Sequence, residues 1–243
     1  MEEIGTRGSA KFVLSASLAN ALPLPRIKWK FVLQYLRDRD TPLRNINDEA
    51  VRSLMPFLEG PGTIIELGAG GEEYKKMASR GQTYELTNLY GDGRRLDMAN
   101  MDLPDNSVDA FVSILALEHV YDHAAVISEC LRCLKPGGRM ILAAPFLVYY
   151  HAAPDDYFRF TKSAMDKLLG SFDILKSFSM GNRGLLVSMS YYEHPYMGSK
   201  RSRVGRALLR IASLPFLISG IWGNQNDEVY AMTHAYLCEK PSV

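Results

Sequence analysis

The run Thr63-Ile64-Ile65-Glu66-Leu67-Gly68-Ala69-Gly70-Gly71 constrains this chain more than any other stretch. Its apolar, partly β-branched start reads as a short buried strand, and the glycines read as a tight turn leaving it. Glu72 to Arg80 then carries a helical spacing, with Gly81 placed just past its end. Strand, glycine turn and helix N-terminus make the nucleotide-binding corner of a doubly wound α/β sheet.

The turn also says what kind of ligand it suits. A dinucleotide fingerprint needs G-x-G-x-x-G, and Glu73 stands at the third glycine position. Glu72 and Glu73 occupy the place where a helix N-terminus receives a pyrophosphate. They suit the helix dipole but repel a phosphate brought there. A phosphate-free, cationic cofactor meets no such objection.

Strands alternating with helices along the chain predict a mostly parallel sheet with helices on both faces. An amphipathic helix is expected from Ile27 to Asp38, either packed on the sheet or serving as a lid. A second helix is expected to start at the caps Asn47 and Asp48 and stop near Pro56. Strand two runs to Asn88, eighteen residues after Gly70, where nucleotide folds place an acid for ribose hydroxyls. Gly91-Asp92-Gly93 reads as a turn, Ala110 to Leu115 as a buried strand, and Asp122 as the cap of a helix with stripe Ile127, Cys130, Leu131, Leu134. Met140 to Ala144 is the next strand, followed by a polar, aromatic loop from Tyr149 to Phe160 and a helix capped by Thr161. Phe172 to Phe178 and Glu228 to Leu237 read as an antiparallel edge pair separated by an insertion.

Bulk properties narrow the setting. The 243 residues, 47% of them hydrophobic and 23% charged, suit one large domain with appendages. A net charge of +1 argues against a surface that coats nucleic acid. Three cysteines form no disulfide framework, and Cys130 and Cys133 read as small core residues of one helix, not a zinc or redox pair. No metal site is read from the sequence. Glu2 and Glu3 remove the positive n-region of an export signal, so a cytoplasmic location is expected.

Four blocks, in order, resemble the class I S-adenosylmethionine-dependent methyltransferases. They are Glu66-Leu67-Gly68-Ala69-Gly70, Asp97 with Leu103-Pro104-x-Asn106-Ser107-x-Asp109, Leu117-Glu118-His119-Val120, and Leu134-Lys135-Pro136-Gly137-Gly138. The stretch His151, Pro154-Asp155-Asp156-Tyr157, Arg159-Phe160-Thr161 looks like a type 11-like subgroup met in glycan and small-molecule pathways. S-adenosylmethionine, with its sulfonium and ammonium groups, is a ligand of the kind the glycine turn suits. The resemblance implies a three-layer, Rossmann-like fold with a seven-stranded sheet of order 3-2-1-4-5-7-6, the last strand antiparallel. It implies an N-terminal helical arm or lid (1–58) and a cofactor-binding domain (59–243) with an insertion at about 181–227. Carried over, Gly68, Ala69 and Gly70 let the backbone approach the cofactor, and Glu66 holds its amino-acid end. Asn88 stands at the ribose position as an amide instead of an acid; Asp97 and the Met98 backbone meet the adenine, and Leu115 lines the methionine pocket.

Methyl transfer needs alignment, and a base only where the acceptor must lose a proton. His119 follows strand four and His151 follows strand five; both are candidates for that role, or they hold their loops. Tyr150, Asp156, Tyr157 and Arg159 either bind a polar acceptor or brace their own loop. The expected partner is a small molecule, a hydroxyl- or amine-bearing glycan precursor or specialised metabolite. A non-catalytic cofactor-binding regulator and a membrane-surface lipid or quinone methyltransferase are the rivals. For residues 200–222, a basic helix face leading to an apolar run too short to span a bilayer is read as solvated and core-packing. Membrane-surface contact, an acceptor cap or a homodimer interface are the alternatives.

Overall fold

Alternate residues of the strands point into two separate apolar layers. Ile64, Ala110, Val112, Ile141 and Ala143 face one way, while Ile65, Phe111, Met140 and Leu142 face the other. Both layers are closed by helices, as a parallel sheet requires. The computed structural model describes residues 12–37, 41–90, 93–152, 154–191 and 203–242.

The strands are β1 (Thr63–Leu67), β2 (Thr83–Asn88), β3 (Arg94–Arg95), β4 (Val108–Ile114), β5 (Leu134–Pro145), β6 (Asp173–Met180) and β7 (Thr233–Glu239). They form one seven-stranded sheet of order β3-β2-β1-β4-β5-β7-β6. β1 to β5 are parallel, and β7 lies antiparallel between β5 and β6. This is the expected order. Its direction reverses between β1 and β4, so the ligand crevice of such a sheet lies beyond their carboxyl ends.

The first layer packs on α2 (Pro42–Leu54), α5 (Arg183–Ser190) and α6 (Arg203–Trp222) through residues such as Ile46, Leu54, Leu185 and Leu217. The second packs on α3 (His123–Cys133) and α4 (Lys162–Leu168) through Val126, Ile127, Cys130 and Met165. Cys130 and Cys133 are buried in that layer, and Asp122 and Thr161 cap their helices as read from the sequence.

Three local expectations are corrected. α1 (Phe31–Leu36) does not begin at Ile27. Gln225 holds Ile27 in an extended segment by accepting from its N–H at 2.6 Å and donating to its carbonyl at 3.1 Å. α2 starts at Thr41, whose hydroxyl accepts from the Arg44 N–H, with Pro42 in the first turn; Asn47 and Asp48 lie inside it. No α-helix follows the glycine turn: residues 72–82 hold only a 3-10 turn at Lys75–Met77. Of 72–80 only Tyr74, Met77 and Ala78 are apolar; they pack against the first core layer, and the Tyr74 hydroxyl reaches Asp48 of α2. Gly91 and Asp92 lie outside the described residues.

The N-terminal segment from residue 12 is built into the body. Arg139 donates to the carbonyls of Leu14 and Phe57 at 2.7 and 2.8 Å and pairs with Glu239. The Tyr35 hydroxyl bonds Ser213 Oγ at 2.7 Å and the Ser188 carbonyl at 3.1 Å, tying α1 to α5 and α6.

α6 also differs from expectation. It is one helix of 20 residues across Pro215, and by length and composition alone Val204–Trp222 is long enough to cross a bilayer. Arg210, Ser213, Leu217 and Ile221 are buried, so Arg210 lies on the inner face rather than on a solvated one. Gly184 of α5 and Gly220 of α6 let the two helices meet, since a Cβ on either would come within 2.6 Å of the other's backbone. Lys200 and Arg201 lie outside the described residues.

Candidate functional site

The turn after β1 is shaped by close approach. Gly68 sits at φ +71°, and a Cβ there would stand 2.5 Å from the Cβ of Ala116. The Ala69 N–H donates to the Thr87 carbonyl at 2.9 Å, and Asn88 Nδ2 donates to the Ala69 carbonyl at 2.8 Å. The Asn88 amide thus ties the end of β2 to the turn while facing the crevice. Gly70 meets nothing within 4 Å at the position of a Cβ.

Two adjoining cavities share Gly68 and Gly70. One, of about 250 Å³, is lined by Asn88, Asp97, Met98, Leu115 and His119 among others. The other, of about 180 Å³, is lined by Arg44, Asp48, Glu66, Glu73 and Tyr74. The predicted cofactor residues Glu66, Gly68, Gly70, Asn88, Asp97, Met98 and Leu115 all line one or the other; Ala69 is buried within the turn. Leu115 adopts φ +51°, a left-handed conformation uncommon for a bulky residue, at the first position past β4.

Electrostatically the smaller cavity favours a cation. Glu66 is buried and accepts from the Tyr84 hydroxyl at 2.7 Å, and burial pushes its carboxyl up to about 7. Tyr74 donates to Asp48 at 3.0 Å, and Arg44 pairs with Glu73 at 3.0 Å. Asp48, Glu66 and Glu73 outnumber Arg44, and no helix N-terminus is present to receive a diphosphate. An ammonium group suits Glu66, and Arg44 suits a carboxylate. Carboxylates remain the reason to expect a cationic, phosphate-free ligand, but they are Asp48, Glu66 and Glu73; Glu72 lines neither cavity. Arg44 and Asp48 were not expected here; they come from α2, well before the turn in sequence, with no local signal to mark them.

A polar cluster borders the larger cavity. Glu118 and His119 lie in the 3-10 turn Leu117–His119, and His151 lies in the loop after β5. His119 Nδ1 is 2.6 Å from the Asp155 carbonyl, and His151 Nδ1 is 3.0 Å from that of Tyr149. Their Nε2 atoms lie 3.9 and 3.4 Å from Glu118 Oε1. Glu118 is fully buried and, among the described residues, its oxygens meet no donor at full hydrogen-bond geometry; its 3.4 Å contact with the His151 ring and then its charge raise the pKa of His151. Glu118 belongs to a quoted motif, yet no site role was read for it.

The predicted acceptor residues sit elsewhere. Arg159 grips Asp156 with two nitrogens and donates to the carbonyls of Val148, Tyr149 and Phe158. The second Asp156 oxygen also accepts from the His151 N–H at 2.7 Å, so this pair frames the loop that carries His151. Tyr150 is exposed, and Tyr157 packs edge-on against Tyr121 while donating to Asp155; neither lines the two cavities.

A family model described as a methyltransferase domain matches residues 66–142. A probable S-adenosylmethionine-dependent methyltransferase of Mycolicibacterium smegmatis is 38% identical over 64 residues, 26% of this chain and 25% of that protein. A demethylmenaquinone methyltransferase of Corynebacterium glutamicum is 34% identical over 67 residues, 28% of this chain and 27% of that protein. The chain spans about a quarter of the length of the curated relatives it matches. Among solved structures, a putative sarcosine dimethylglycine methyltransferase from Galdieria sulphuraria superposes with a TM-score of 0.56 at 18% identity, covering 91% of this chain and 94% of that one. The [4+2]-cyclase SpnF superposes at 0.53 with 13% identity, covering 98% and 100%, so the shared fold by itself does not specify the reaction. Sheet order, glycine turn and the methyltransferase-domain match over residues 66–142 together make the chain similar to the class I S-adenosylmethionine-dependent methyltransferases.

Proposed function

We propose that the chain is an enzyme that transfers a methyl group from S-adenosylmethionine to a hydroxyl or amine of a small polar molecule, such as a glycan precursor or specialised metabolite, in the cytoplasm. The observation that carries this reading is the shared crevice. A carboxylate-lined pocket for a cationic ligand adjoins a cavity bordered by His119, and His119 meets Glu118 and His151.

Bound there, S-adenosylmethionine supplies a methyl group already activated by its sulfonium. The chain contributes placement. Asp97 and Met98 meet the adenine end, Leu115 and Ala116 wall the larger cavity, and Glu66 with Arg44 holds the amino-acid end. The Glu118–His119–His151 cluster stands at the acceptor end, where an acceptor's proton would be handled.

Calorimetry with S-adenosylmethionine and its demethylated product tests the pocket, and transfer of labelled methyl into a metabolite extract tests the reaction. Tight binding without transfer to any metabolite would favour a cofactor-binding regulator instead. Absence of binding would remove the reading altogether.

A second reading has its own observation. Val204, Leu208, Ile211, Phe216 and Trp222 leave an apolar stripe exposed on α6. Trp222 stacks on exposed Trp29 at 6.1 Å, and the exposed cations Arg26, Lys28 and Lys30 flank Trp29. Aromatic residues beside an apolar helix face, with neighbouring cations, suit the surface of an anionic membrane. On this reading the acceptor is lipid-borne and the stripe rests on the bilayer.

A further inference from the structure

The two histidines of the cluster have their protons directed away from its centre. Each Nδ1 lies within hydrogen-bond distance of a backbone carbonyl, at 2.6 Å for His119 and 3.0 Å for His151. A carbonyl only accepts, so a neutral ring with its hydrogen on Nδ1 keeps its Nε2 lone pair; at His151 the Arg159 guanidinium also stands 3.4 Å from Nδ1, beside the closer carbonyl. In that tautomer both lone pairs lie toward one oxygen of Glu118, a fully buried carboxylate that, among the described residues, meets no other hydrogen-bond donor. Three electron-rich groups converging in this way are unfavourable unless a cation, a proton or a metal ion, lies among them.

We propose that Glu118, His119 and His151 bind a divalent first-row transition metal ion. The three donor atoms lie within 4.8 Å of one another. Two ligands about 2.1 Å from one ion at near-tetrahedral or octahedral angles stand roughly 3.0–3.4 Å apart. The Glu118–His151 separation of 3.4 Å meets that spacing, and the Glu118–His119 separation of 3.9 Å closes to it with a small ring rotation. Backbone carbonyls holding the distal nitrogens are the usual outer support of metal-binding histidines. Two imidazoles and one carboxylate favour zinc, iron or manganese over calcium or magnesium, and leave further positions open.

His119 borders the larger cavity, so an acceptor hydroxyl placed there can ligate the ion. Its proton then passes to water more readily, since a bound cation lowers the pKa of a coordinated oxygen. The oxygen forms the new C–O bond, and sulfur keeps the electron pair of the broken C–S bond. That use rests on the methyl-transfer reading; ion binding does not.

The test is metal content rather than turnover. Purified protein, stripped with a chelator and dialysed, is titrated with Zn2+ and passed through gel filtration for elemental analysis; Co2+ is added in parallel as a visible-absorption probe. The expected result is one Zn2+ retained per chain and a Co2+ spectrum of nitrogen and oxygen ligation. His119→Ala and His151→Ala, each verified as folded by circular dichroism, are expected to weaken retention at least about 100-fold, with Glu118→Gln as a third variant. Zn2+ failing to bind the wild-type chain would overturn the proposal and leave a proton between Glu118 and His151. Equal retention by both histidine variants would overturn it too, by moving the ion elsewhere. Bound metal without methyl transfer would leave this site standing and remove only the reaction proposed for it.

Discussion

The Tyr84 hydroxyl donates to Glu66 Oε2 at 2.7 Å from the neighbouring strand, fixing a buried carboxylate at the foot of the charged cavity. Burial pushes Glu66 from 4.5 up to about 7, against the smaller opposing effect of Tyr84. Below that value the carboxyl is protonated and cannot pair with a cationic ligand. Affinity for S-adenosylmethionine is therefore expected to rise between pH 6 and pH 8 in calorimetry. Glu66→Gln should bind weakly and show no such rise. A wild-type affinity that is flat across this range would contradict the role given to Glu66.

Stability moves the opposite way over the same window. The folded state keeps its Glu66 proton up to about pH 7, whereas the unfolded state releases it near 4.5. The unfolded chain thus binds fewer protons between these values, and this group's share of stability falls as pH rises through them. The loss is at most about 3 kcal/mol, and Glu66→Gln should remove it from urea midpoints measured at pH 5 and pH 8.

Gly68 and Ala116 set the width of the turn. An Ala at 68 must hold φ +71° and force its Cβ against that of Ala116. Left-handed strain and overpacking together should cost about 2–4 kcal/mol and loosen cofactor binding. Gly68→Ala with Ala116→Gly removes the clash but not the strain, so it should recover part of the loss. Full recovery in urea unfolding would show that the backbone conformation carries no cost.

Much of this architecture is written in local patterns. Residues 63–67 and 110–114 are near-continuous apolar runs, as strands buried on both faces must be; their alternation with helices implied a mostly parallel sheet, while the strand order was implied only by the resemblance of the four motif blocks. The departures arise where distant residues override local preference. Ile27 lacks helical bonding because Gln225, nearly 200 positions away, takes its backbone groups. Residues 72–80 hold only a short 3-10 turn, and their three apolar side chains join a core layer to which the distant α2 also contributes. Arg44 enters the crevice for the same long-range reason. Glu118 is legible as part of a motif, but its place beside His119 and His151 exists only once the loop after β5 brings His151 to it.

Arg159 holds the β5 loop through three backbone carbonyls besides Asp156, a set that one ammonium cannot reproduce. Arg159→Lys should destabilise the chain by about 2–3 kcal/mol and cut methyl transfer by displacing His151, while cofactor affinity holds. His151→Ala should lower turnover about 100-fold or more with a smaller stability change. Turnover that survives in His151→Ala would end its role at the acceptor end, whatever Arg159→Lys does.

The exposed stripe of α6 separates the two acceptor readings. Leu208 and Ile211 are 61% and 55% exposed, so Leu208→Asp and Ile211→Asp should leave the urea midpoint nearly unchanged. If the stripe rests on a bilayer, the wild-type chain floats with vesicles rich in anionic lipid and the two variants do not. Raising the salt should weaken the attraction of Arg26, Lys28 and Lys30 while leaving the apolar contribution, so binding falls without vanishing. Flotation that is unaffected by either aspartate places the contact elsewhere on the molecule. A wild-type chain that stays with the soluble fraction at both salt concentrations removes the membrane reading and leaves the soluble polar acceptor.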